Sequence, residues 1–183
     1  SCNNKIEFAD RFFSKFLKIN NKKIWGEKTP SNSYYFDLFL SLYPKARIIH
    51  ITRDMRDVIS SLKKRGMSSY DASMLWLYNT SMAFMYKDHD QYYHLTYENL
   101  VIDPENTIIK WCKFLKIEFD HSILDPSERD KADTIYSWDN SPIDHIHPHS
   151  IGKNRKILRS YDYFMFNHIK ISDSHKKIFD LRF

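Results

Sequence analysis

Apolar residues first recur at helical spacing between Ile6 and Ile19, where Ile6, Phe8, Phe12, Phe13, Phe16 and Leu17 line up on one side. The polar run "NNKK" ends that helix. Ser31 or Ser33 then stands where it can cap a second helix reaching about Tyr43, with Tyr35, Leu38, Phe39 and Leu42 on one face. Pro44 stops it. The pattern next becomes β-branched. Ala46 to Thr52 carries Ile48, Ile49 and Ile51, apolar on both faces, which predicts a central strand of a parallel sheet.

Helical periodicity returns at once. Asp54 is placed as N-cap for Met55 to Lys64, whose inner face is Val58, Ile59 and Leu62, and Gly66 ends the helix. A long helix is expected over Ser69 to Lys87, with Met74, Trp76, Leu77, Ser81 and Phe84 inward. A short strand, Tyr92 to Tyr97, follows. Pro104 then sits at the first position of a helix running to Leu115, with Ile108, Trp111, Cys112 and Leu115 toward the sheet. Helices alternating with strands in this order predict an α/β layer fold around a parallel sheet. From Asp120 to Ser150 the periodicity dissolves into a long surface loop, and a last amphipathic helix is expected over Ser172 to Leu181.

Composition changes this picture little. The 183 residues suffice for one domain with a real core. A net charge of +5 suits anionic ligands, and equally suits an ordinary Lys-rich surface. Cys2 and Cys112 are too isolated for a zinc site or a disulfide framework, which favours a reducing compartment. No apolar run reaches membrane-spanning length.

The chemistry concentrates in "RIIHITRDMRDVISSL", Arg47 to Leu62. Ligands of open α/β sheets bind beyond the carboxyl ends of the strands, and Arg53 stands at such an end. Directly after it a helix begins, offering free N–H groups and a partial positive charge. Arginine beside that dipole makes an anion site, most naturally for phosphate. Asp54 and Asp57 fit capping and dipole compensation and need no catalytic role. The same residues also fit a plain strand-to-helix turn with surface ion pairs worth about 0–1 kcal/mol.

Three ordered blocks carry a resemblance: "EKTP" (Glu27 to Pro30), "YPKARIIHITRDMRDVISSL" (Tyr43 to Leu62) and "LTYENLVIDPENTIIKWCKFLKIEFD" (Leu95 to Asp120). Together they resemble the sulfotransferases that use 3'-phosphoadenosine-5'-phosphosulfate (PAPS), in the branch holding bacterial and heparan-type enzymes. A weaker echo follows at "SIGKNRKIL" (Ser150 to Leu158). The resemblance implies a P-loop-NTPase-like parallel sheet flanked by helices, with PAPS as donor and a hydroxyl or amine on a small molecule or glycan as acceptor. The family's Gly-rich phosphosulfate loop is not found here, since no glycine precedes Gly26. The resemblance therefore implies the C-terminal part of a longer protein, lacking the first strand and its loop.

Residue by residue, the resemblance implies that Arg53 and Ser61 grip the donor's 3'-phosphate, with Ser60 a weaker competitor for the second role. Met55 stands where the family's turn has proline. Glu27 corresponds to the general base that takes the acceptor's proton, and Lys28 to a holder of substrate or sulfonate oxygens. Without the family both read as a surface pair before a helix. Tyr97 is implied beside the adenine, or else packs in the core. Glu98 is expected to brace the loop or a neighbouring arginine. Gly152, Lys153, Arg155 and Lys156 match a basic loop over the 3'-phosphate, or else form a solvated basic turn. His145, His147 and His149 alternate in a loop without matching metal-ligand spacing, and sulfuryl transfer in this family needs no metal.

The acceptor is expected against Gly66 to Asp71 and the 120–150 loop, and the compartment is expected to be cytoplasmic, as in bacterial members, or the Golgi lumen for a eukaryotic heparan-type member. The rival reading is a non-catalytic module of the same fold that binds adenosine 3',5'-bisphosphate or an anionic partner. A nucleic-acid binder is set aside, because the aromatic and basic residues follow no such motif.

Overall fold

In the computed structural model, described for residues 5–125, 146, 148–153 and 155–163, the chain forms two compact units, Ser1–Asn32 and Ser33–Phe183. The sequence reading treats it as one domain. The Ser172 to Leu181 helix, His145 and His147 lie outside the described residues, and the 120–150 loop lies largely outside them.

The first unit contains α1 (Lys5–Ile19). Its C-terminus closes with Asn21 at φ 49, and the Lys22 N–H reaches back to the Leu17 carbonyl at 2.9 Å. Asparagine tolerates this left-handed turn and so supplies the stop that "NNKK" predicts. Phe13 stacks on Trp25 with ring centroids 3.9 Å apart, while Phe8, Phe12 and Phe16 are exposed.

The second unit is α/β and mostly helical. It runs α2 (Phe36–Leu42), β1 (Ile48–Thr52), α3 (Met55–Lys64), α4 (Ser69–Phe84), β2 (Tyr92–Thr96), α5 (Tyr97–Ile102) and α6 (Pro104–Leu115). Among the described residues the sheet has two strands, paired parallel with Ile48 opposite Tyr92 and Thr52 opposite Thr96.

Several sequence expectations change here. The Ser31/Ser33 cap gives way to a 3-10 turn, Pro30–Tyr35, and no side chain caps α2. Ser33 is buried and its hydroxyl donates to Asn79 Oδ1 instead. Because α2 starts later, its inner face rotates to Phe36, Phe39 and Leu40, leaving Tyr35 and Leu38 exposed. In β1, Ile51 is 46% exposed, so apolarity on both faces does not amount to burial on both. In α4 the inward residues include Ala72, Ser73, Trp76, Thr80, Ala83 and Phe84, whereas Met74 faces out. The short helix α5, capped by Thr96 through the Asn99 N–H, has no counterpart in the sequence reading. Six residues carry too little periodicity to announce a helix.

Other elements form as the pattern predicts. The Asp54 side chain accepts from the Arg56 N–H and caps α3. Gly66, at φ 92, then ends it: the Met67 N–H bonds the Leu62 carbonyl and the Gly66 N–H the Lys63 carbonyl. That paired closure needs a left-handed residue, which glycine adopts without penalty.

Two clusters make the core. Met55 and Ile59 of α3, Ala72 and Trp76 of α4, and Leu158 form one; Phe36, Ile48, Ala83 and Tyr92 form the other. Leu158 marks a late segment laid along α3. At the far end of that helix, buried Asp162 accepts from Lys63 Nζ at 2.8 and 2.9 Å, from the Arg159 N–H at 2.7 Å and from the Ser69 hydroxyl. Burial alone would raise the Asp162 pKa. The Arg159 amide, then Lys63 and Ser69, outweigh it and hold the carboxyl below its ordinary range.

One face of the sheet carries a pair of imidazoles. His50 Nδ1 lies 2.6 Å from the Tyr92 hydroxyl, and His94 Nε2 lies 2.8 Å from Thr52 Oγ1. Phe84 closes over both rings. Burial, and after it the neighbouring His94, pull the His50 pKa down to about 3; burial lowers that of His94 as well. An unfolded chain holds these groups near the ordinary histidine value of about 6.5. Below that pH the unfolded state binds more protons, so stability falls as pH drops from about 6.5 toward 3. Each imidazole contributes a slope of at most about 1.4 kcal/mol per pH unit. Urea denaturation at pH 7 and pH 5 is expected to show this loss, and His50→Gln to reduce it. An unchanged pH dependence in that variant would refute the assignment.

Candidate functional site

The end of β1 turns into α3 between Thr52 and Met55, and Arg53 projects from this junction. Its backbone carbonyl accepts from Trp76 Nε1 at 3.1 Å, which ties the strand end to α4. The guanidinium lies over the Tyr97 ring, 4.4 Å from the centroid. Nη2 donates to the Ser150 carbonyl at 2.5 Å and sits 3.8 Å from Asp57 Oδ2. Nε is buried and has no partner among the described residues.

Around it the side chains alternate in charge. Asp54 caps α3, pairs with Arg56 through Nη2 at 2.5 Å, and lies 3.1 Å from Arg155 Nη2 in a second ion pair. Burial opposes its ionisation. The Arg56 hydrogen bonds, with the Arg56 and Arg155 charges, win and lower its pKa. The Asp54 N–H donates to Glu98 Oε1 at 2.9 Å, so Glu98 braces the turn as expected. Asp57 is buried. Its two oxygens accept from the Gly152 N–H at 3.1 and 3.0 Å, and Oδ1 also accepts from Arg155 Nε at 2.6 Å. Gly152 has φ 72, a conformation in which a side chain is strained.

The structure thus brings Arg53, Tyr97, Gly152 and Arg155 together. Arg155 is engaged by Asp57 and Asp54, where the resemblance implies a phosphate contact. Lys153 is adjacent and exposed. Ser61 is half-buried on α3, and its hydroxyl makes no hydrogen bond with another described residue. Ser60 is fully buried and donates to the Asp57 carbonyl at 3.0 Å, which removes it as a competitor for a ligand. In the first unit, the Glu27 carboxylate accepts from the Thr29 hydroxyl at 2.5 Å and from Asn32 Nδ2, and Lys28 is exposed.

Sequence reasoning missed the role of Asp57. A helix-start aspartate reads locally as dipole compensation, and its partners lie 95 and 98 positions away. Among the described residues no group of three or more His, Cys, Asp or Glu is placed to hold a metal, and no helix is long and apolar enough to cross a membrane.

The second unit is thus an α/β domain whose parallel strand ends in a guanidinium beside the first turn of the next helix. Residues 4–121 match the profile of the Sulfotransferase family, more than half of the chain, and the protein belongs to that family. An uncharacterised protein of Aquifex aeolicus (strain VF5) is 28% identical over 112 residues, 54% of this chain. Two solved structures share the fold. The sulfotransferase domain from the Synechococcus PCC 7002 olefin synthase superposes with a TM-score of 0.67 at 22% identity, over 85% of this chain. The sulfotransferase domain from the curacin biosynthetic pathway does so with 0.59 at 15% identity, over 92% of this chain. The chain spans 15% of the Aquifex protein's length and 61% and 65% of the two solved domains.

Proposed function

We propose that the protein transfers a sulfuryl group from PAPS to a hydroxyl or amine acceptor, and that the β1–α3 junction holds the donor's 3'-phosphate. The observation that carries this is the state of Arg53. Its position is fixed by a ring face and a backbone carbonyl, yet Nε is buried without a partner among the described residues. Such an orphaned donor costs about 1–3 kcal/mol unless a ligand satisfies it. A phosphate dianion fits the donor set, with the Ser61 hydroxyl, unengaged among the described residues, and exposed Lys153 adding to Arg53. Tyr97, already under the guanidinium, then borders the nucleoside.

In this reading the acceptor oxygen or nitrogen attacks sulfur as the bond from sulfur to the donor's bridging oxygen breaks. Glu27 takes the acceptor's proton, and adenosine 3',5'-bisphosphate leaves. Lys28 holds substrate or sulfonate oxygens. Charge stabilisation and positioning carry most of the rate. A cytoplasmic site of action fits the bacterial branch that the sequence resembles.

Calorimetry of adenosine 3',5'-bisphosphate against adenosine 5'-monophosphate tests the reading. The bisphosphate is expected to bind more tightly, and Arg53→Ala to remove about 1.5–3 kcal/mol of that preference. Equal affinity for the two nucleotides in the unmodified protein would sink it.

A further inference from the structure

We infer that Asp57 is a positioning residue for the nucleotide site, acting on Arg53 through the turn from Ser150 to Arg155. The inference rests on the nucleotide reading above and goes beyond it, because neither Asp57 nor Arg155 touches the ligand in this account.

The geometry forms a relay. Asp57 is buried at the first turn of α3, and both its oxygens accept the Gly152 N–H. Oδ1 also takes Arg155 Nε at 2.6 Å, while Arg155 Nη2 reaches Asp54 at 3.1 Å. The turn is therefore held at a backbone donor and a side-chain donor three residues apart. Between Arg53 and Gly152 in the relay lies the Ser150 carbonyl, which accepts Arg53 Nη2 at 2.5 Å. That bond and the Tyr97 ring fix the plane of the guanidinium. Moving the turn moves the Ser150 carbonyl, and with it the Arg53 donors that meet the phosphate.

Charge points the same way. A buried carboxylate 3.8 Å from Arg53 opposes an incoming dianion unless another cation neutralises it. Arg155 does so, in direct contact with Asp57. Its guanidinium serves the site by cancelling a negative charge and anchoring the turn. This accounts for a basic residue in this loop that faces carboxylates.

The test measures the ratio of bisphosphate to monophosphate affinity by calorimetry on the full chain, for the unmodified protein, Asp57→Asn, Arg155→Gln and the double variant. Each single variant is expected to lower the ratio about tenfold, and the double variant to lower it scarcely further, since both break one relay. Hydrogen exchange is expected to rise in peptides covering Ser150 to Arg155 in each variant, with or without nucleotide. Single variants that lose stability but keep the ratio would overturn the inference, as would additive losses. A normal ratio in the unmodified protein that survives both substitutions discards Asp57 and spares the nucleotide site. An absent preference in the unmodified protein discards both. Should Asp57→Asn fail to fold, the ratio in Arg155→Gln decides.

Discussion

Replacing Asp162 by Ala is expected to destabilise the second unit by about 3 kcal/mol. The carboxylate is 2% exposed and serves Lys63, Ser69 and the Arg159 amide at once. Its removal strands the Lys63 ammonium against the protein and leaves the Arg159 N–H and the Ser69 hydroxyl to find new acceptors. A solvent-exposed pair would yield only about 0–1 kcal/mol, so the measurement separates a buried anchor from a surface contact. Urea denaturation should show a lower midpoint with the same slope. The carboxyl's lowered pKa adds a pH signature. Its contribution is full above the ordinary carboxylate value of about 3.9 and is lost as pH falls through the lower folded value. That window lies on the acid side of where the His50 effect begins. A stability loss below about 1 kcal/mol at pH 7 would contradict the anchor.

Glu27→Gln is expected to lower sulfuryl-transfer turnover by about 10²–10⁴-fold, the usual contribution of a positioned general base. Glutamine keeps the acceptor oxygen for Thr29 or Asn32 but has no basic carboxylate to take a proton. Affinity for adenosine 3',5'-bisphosphate should stay unchanged, because the 3'-phosphate is assigned to other residues. A labelled-sulfate assay at saturating donor measures the first quantity, and calorimetry the second. Full turnover in this variant would discard Glu27 as the base. Bisphosphate binding with no transfer in the unmodified protein would favour a non-catalytic module.

Local signals were legible in the sequence; distant ones were not. The β1–α3 junction reads correctly because its cues lie within a few residues of one another: a β-branched run, Asp54 as cap, a helical period, then Gly66. The same holds for Pro104 at the start of α6. The inner face of α2 was misjudged because a 3-10 turn delayed the helix and rotated its register. The place of Arg53 at the end of a strand was legible for the same local reason. Its Tyr97 platform was not legible, because the resemblance places Tyr97 beside the adenine and stacking joins residues 44 positions apart. Asp57 and Asp162 were out of reach, since short polar residues announce nothing about partners nearly a hundred positions away.

That separation has a consequence for how the chain is made. Arg53 meets Ser150 across 97 positions, and Lys63 meets Asp162 across 99. At about 5–20 residues per second, α3 leaves the ribosome roughly 5–20 s before the residues that clasp its outer side. During that interval Met55 and Ile59 wait without Leu158, and the nascent chain carries an unsealed apolar seam. Chaperone capture of ribosome-bound chains should therefore peak while that seam is open and subside once Asp162 has emerged.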